Sequence, residues 1–138
     1  MSQENVEIVR AAIDAANRDD WDAFYKDMAP GFELDMSRAV GPVSGVLSLD
    51  QVRRVLEDFA GYWESLRIEP HQFIEAGDRL VMPRTVHVRG RDGIEVVSRP
   101  TLVWTIRDGA IERVVLYQER QDALEGLGPS EQDAHADS

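Results

Sequence analysis

From about residue 66 onward, the apolar residues of this chain recur at every second position rather than every third or fourth. That change of period constrains the fold most, because a helix buries a stripe of period 3.6 while a strand buries alternate side chains. It predicts four long strands over residues 67–76, 79–89, 94–107 and 110–119. Gly77-Asp78, Gly90-Arg91-Asp92-Gly93 and Asp108-Gly109 punctuate them, the last being a strong two-residue hairpin signal. Strands joined by turns this short form an antiparallel meander. Pro83 and Pro100 fall inside two of the strands, where a missing N–H is tolerated only at an edge or a bulge, so the sheet is expected to bend there.

The first half carries helical spacing. Val6, Val9, Ile13 and Ala16, widened by Ile8, Ala12 and Ala15, predict an amphipathic helix over 4–17. Asp19 or Asp20 can cap a short second helix with Trp21, Phe24, Tyr25 and Met28 on its apolar face and Pro30-Gly31 as its stop. Phe32-Glu33-Leu34-Asp35-Met36 alternates as a short strand, followed by the Gly/Pro-rich loop 41–45. Ser48 and Gln51 stand at capping-box spacing before a third helix, with Val52, Val55, Leu56, Phe59 and Trp63 on one face to about Ser65. A last helical turn is expected at 122–127. The polar residues 130–138 are expected to be a disordered acidic tail behind a single domain over 1–129.

Composition narrows the function classes. A net charge of −11 repels phosphate backbones, so neither nucleic acid nor an anionic membrane surface is an expected partner. Cysteine is absent, which excludes thiolate chemistry and Cys-based metal sites; the scattered acids and single mid-strand histidine make no metal-ligand set, and no cofactor is expected. The amino terminus has acids where a secretory signal needs bases, and no apolar run approaches the ~18 residues of a membrane span, so a cytoplasmic location is expected.

The helices followed by a bent meander describe an α+β cone: a curved antiparallel sheet wrapped around helices. Here the chain resembles the nuclear transport factor 2-like superfamily, and within it the SnoaL-like proteins. The resemblance is carried by residues 4–10 (ENVEIVR), 17–22 (NRDDWD), 103–109 (VWTIRDG) and 123–125 (ALE), and spans about residues 3–127. It implies a cystatin-like α+β barrel enclosing a hydrophobic pocket, and often a homodimer joined through the sheet faces. The family's enzymes include ketosteroid isomerases, polyketide cyclases and epoxide hydrolases. By this resemblance Asp35 falls at or within one residue of the isomerase-like general base. The oxyanion-hole tyrosine and its partner acid fall near Ala12 and Leu102, which argues against steroid isomerisation. Arg84 is followed two residues later by Val86 rather than by the carboxylate that epoxide hydrolysis needs.

Parity leaves the pocket wall open. In the strand over 79–89, Leu80, Met82, Arg84, Val86 and Val88 share one face and Val81, Pro83, Thr85, His87 and Arg89 the other, with a bulge at Pro83 able to exchange them. The candidate catalytic set is Asp35 as proton acceptor, desolvated between Leu34 and Met36, with His87 and Tyr117 as facing polar groups. The candidate ligand-binding set is Trp63, Trp104, Phe59 and Thr101. Each has a structural reading too: His87 as a surface histidine, Asp35 in a loop network, the aromatics as core. Three functions remain open: a cyclase or isomerase acting on a hydrophobic carbonyl compound, a non-catalytic binder of a hydrophobic small molecule, and a dimerisation module with a filled core.

Overall fold

A computed structural model describes residues 2–39 and 43–127. The helix α1 (Ser2–Asn17) is followed by α2 (Trp21–Tyr25), β1 (Met28–Asp35), β2 (Val46–Ser48), α3 (Leu49–Ala60), β3 (Trp63–Pro70), β4 (Ile74–Ala76), β5 (Arg79–Gly90), β6 (Glu95–Ser98), β7 (Thr101–Arg107), β8 (Ala110–Tyr117) and α4 (Arg120–Glu125). The fold is α+β, a curled sheet half-closed around helices. No helix among the described residues is long and apolar enough to cross a membrane. The expected tail over 130–138, and residues 41 and 42 of the Gly/Pro loop, lie outside the described residues.

Local signals placed the helix starts. Asp20 caps α2, its carboxylate accepting from Ala23 N at 3.2 Å, while Asp19 takes a left-handed φ of 61° and accepts from Trp21 Nε1 at 2.7 Å. Ser48 and Gln51 form the reciprocal capping box of α3: Gln51 N donates to Ser48 Oγ and Ser48 N donates to Gln51 Oε1. The Asp108-Gly109 turn has positive φ at both residues, 52° and 78°, as the tight hairpin requires.

Element ends differ from the sequence expectation where long-range pairing intervenes. Met28 does not extend α2; it opens β1, pairing with Ile111, and Pro30-Gly31 lie within that strand. α3 stops at Ala60, and Trp63 already belongs to β3, opposite Gly90. The expected strands 67–76 and 94–107 are each split, at residues 71–73 and 99–100. The sheet order is β2-β1-β8-β7-β5-β3, and β1 runs parallel to β8, so the sheet is mixed rather than a pure antiparallel meander.

The two splits explain the bend. β5 pairs with β4 and β7 through residues 79–83, then with β3 and β6 through residues 84–90. At the exchange, His71 N donates to Pro83 O at 2.9 Å and Arg84 N donates to Pro100 O at 3.2 Å. A crease therefore crosses three strands at 71–73, 83–84 and 99–100, close to the two prolines. The register of β5 runs unbroken through Pro83, so its faces are not exchanged.

One end of the concave face is filled. Val6, Val9 and Ile13 of α1 pack with Leu80, Met82, Ile106 and Ile111 in the main core. Asn17 pins the helix end to the sheet, its side-chain amide donating to Ile68 O at 2.9 Å and its carbonyl accepting from Ile68 N at 2.7 Å. On the convex face, Ala123 of α4 covers a smaller cluster of Val81, Val103 and Tyr117.

Candidate functional site

Beyond α1, the concave face is hollow. A cavity of about 290 Å³ lies between α2, α3 and the sheet. The alternation of β5 sends Arg84, Val86 and Val88 to its wall; Leu102 and Trp104 reach it from β7, Val114 and Leu116 from β8, and Leu34 from β1. The apolar stripe of α3 closes the opposite side with Val52, Val55, Leu56 and Phe59, and Phe59 stacks on Trp63 at 6.2 Å between ring centres. The volume sits at the lower edge of the ~300–1,000 Å³ range of small-molecule pockets, about twice the ~150 Å³ that admits one benzene.

All three tryptophans of the chain, Trp21, Trp63 and Trp104, line this space. Of the expected ligand-binding set, Trp63, Trp104 and Phe59 are wall residues. Thr101 is not; it is buried, with the opposite parity to Leu102 on β7.

The expected catalytic trio is not assembled at the cavity. Asp35 projects from β1 on the side away from its neighbours Leu34 and Met36, both of which line the cavity. It is 9% exposed, accepts from Ser37 N at 2.9 Å and from Arg113 Nη2 at 3.1 Å, and lies 3.9 Å from Arg38. Burial pushes its carboxyl upward, but the hydrogen bonding from Ser37 and the charges of Arg113 and Arg38 outweigh it and hold the pKa below the ordinary value. That is the opposite of the raised carboxyl expected of a base at a cavity mouth. Tyr117 lies in the cluster under α4, with the guanidinium of Arg38 over its ring at 4.8 Å. Asp35 and Tyr117 thus share Arg38 on the convex side. His87 is elsewhere on that face, 2.6 Å from Glu69 Oε1 of β3. The reason for all three is strand parity: each stands one position out of step with the cavity-lining register.

Arg84 is the wall residue that the candidate set left out. It is the only charged side chain among the described residues lining the cavity. Its Nε is covered and has no hydrogen-bond partner, and the same holds for Trp104 Nε1. Burial lowers the Arg84 pKa to about 10, so the guanidinium is still cationic at neutral pH. A signal for it existed: Arg84 shares parity with Leu80, Met82, Val86 and Val88, an interruption of an otherwise apolar face. Among the described residues, no cluster of three or more His, Asp or Glu is arranged to hold a metal ion.

Comparison with known proteins locates the fold. The family model described as a SnoaL-like domain matches residues 9–114. Among solved structures, TerC, co-crystallised with polyporic acid, superposes with a TM-score of 0.73 at 23% identity, over 88% of this chain and 96% of that one. A SnoaL-like protein from Jannaschia sp. CCS1 assigned as a polyketide cyclase gives 0.68 at 17% identity, over 90% and 91%. A protein of cystatin-like fold from Xanthomonas campestris gives 0.71 at 18%, over 86% and 95%. At these identities the structural likeness carries the fold alone. No curated protein matches the chain.

Proposed function

The chain belongs to the SnoaL-like domain family, and within that fold we propose that its cavity binds one hydrophobic small molecule of about two rings without proton transfer by the protein's own acids or imidazoles. The observation that supports this is the wall itself: aliphatic and aromatic side chains surround about 290 Å³, and no carboxylate or histidine of the described residues stands among them. General acid–base work needs such a group within hydrogen-bond reach of the ligand.

The three wall tryptophans supply the test. Titration with a two-ring aromatic is expected to change intrinsic fluorescence saturably. Val86→Phe, which fills the middle of the wall, is expected to weaken binding at least tenfold with the thermal midpoint preserved. Binding that survives this filling overturns the assignment of the site.

A second reading, turnover of a carbonyl compound, draws on the cyclase assignment of the Jannaschia structure and on the guanidinium of Arg84 in the cavity wall, which can polarise a carbonyl. It is checked by mass spectrometry of a poly-β-carbonyl compound incubated with the protein; unchanged mass and retention time exclude it for that compound. A homodimer through the convex sheet face is proposed separately from the cavity, and light scattering that shows only a 15.6 kDa monomer overturns the dimer.

A further inference from the structure

Arg84 is where the cavity departs from an oily hole. Other arginines of the sheet have partners: Arg113 meets Glu33 and Asp35, Arg107 meets Asp78 and Glu112, Arg89 meets Glu64 and Glu95, Arg67 meets Glu69, and Arg79 donates to Leu127 O. Arg84 lies in the crease of β5 with its Nε covered and unpartnered, among Val86, Leu102 and other apolar wall residues, and no carboxylate of the described residues forms an ion pair with it. A largely desolvated cation without an anion is costly, and an aliphatic side chain of similar volume would fill the space at lower cost. The cost is offset if the missing anion arrives with the ligand.

We propose that the cavity selects hydrophobic ligands bearing an ionised oxygen acid, a carboxylate or an equivalent enolate, held by the guanidinium of Arg84. This rests on the reading of the cavity as a small-molecule site. The planar guanidinium matches a carboxylate with two parallel N–H···O bonds, and the apolar surroundings strengthen them relative to water. Trp104 Nε1 is covered, so the contact falls to the guanidinium of Arg84. The net charge of −11 slows the approach of an anion without cancelling the contact, because at physiological salt exposed charges are screened beyond about 8 Å while the buried guanidinium is not.

The test compares 2-naphthoate with its neutral isostere 2-naphthamide at pH 7, read by tryptophan fluorescence and calorimetry. The parent protein is expected to bind naphthoate about tenfold or more tighter than naphthamide. Arg84→Met should abolish that preference, and Arg84→Lys should retain part of it. Equal binding of the two probes by the parent, or a preference that survives Arg84→Met, overturns the inference and leaves the cavity reading standing. If neither probe binds, the cavity reading falls and the inference with it. Folding is controlled by the thermal midpoint of Arg84→Met, which should equal or exceed that of the parent because an unpartnered charge has been removed. A fall of more than about 5 °C means that Arg84 has a structural role in the free protein, and overturns the proposal.

Discussion

The two faces of one sheet solve the problem of charge in opposite ways. On the convex face, polar side chains have partners: Asp35 with Arg113 and Arg38, His87 with Glu69, Arg107 with Asp78. On the concave face, the one charged side chain among the described residues that line the hollow has none. Residue types that suggest catalysis in isolation, a carboxylate, an imidazole and a phenol, are on the convex side, the first two paired and the third under the guanidinium of Arg38. A buried group left without a hydrogen-bond partner, Arg84 Nε, is on the concave side. Perturbation also differs in kind: Asp35 is held in its charged form by its neighbours, whereas Arg84 is pushed toward neutrality by burial.

The contrast can be broken most strongly at the filled end of the concave face. Met82 has no exposed surface and packs in the main core, so Met82→Ala should cost about 2–5 kcal/mol in denaturant unfolding. A loss below 1 kcal/mol would mean that this end is as loosely occupied as the cavity. Asp35→Asn should cost about 1–2 kcal/mol at pH 7, less than a full ion-pair break because Arg113 keeps Glu33. The native pKa of Asp35 is depressed, so its stabilisation is present above the ordinary carboxyl value of 3.8 and is lost as pH falls through the native value. The gap between parent and variant should therefore close in acid, and a gap that widens there would contradict the assigned ion pair. Asp35→Asn should leave naphthoate affinity unchanged; a tenfold drop would bring Asp35 back to the ligand. The smallest effect is expected at His87. Its side chain and that of Glu69 are 44% and 41% exposed, so His87→Gln should change stability by less than about 1 kcal/mol and ligand affinity not at all.

Much of the fold was legible because its signals are local. The Ser48–Gln51 capping box, the cap expected from Asp19 or Asp20 and the Asp108-Gly109 turn each act within four residues, and each is present, Asp20 being the residue that caps. The apolar half of the site was legible for a similar reason: Phe59, Trp63 and Trp104 are large enough that whichever wall holds them is apolar. The polar half was not. Assigning Asp35, His87 and Tyr117 to one cavity required the facing direction of three strands, and one step of parity reverses that direction while leaving composition untouched. Trp63 illustrates the limit at the border: its spacing continues the helical stripe of α3, yet pairing opposite Gly90 claims it for β3.

By itself, then, the chain's order of residues determined the change from helical to strand periodicity, the caps and turns, and the crease near Pro83 and Pro100, because propensity, capping and the missing proline N–H act on the residue and its immediate neighbours. Only the tertiary structure decided that β1 enters parallel to β8, that α1 fills one end of the concave face and leaves the other hollow, and that Arg84 rather than Asp35 faces the hollow. These depend on which distant surfaces meet, a balance of burial and pairing summed over the whole sheet that no short stretch of sequence contains.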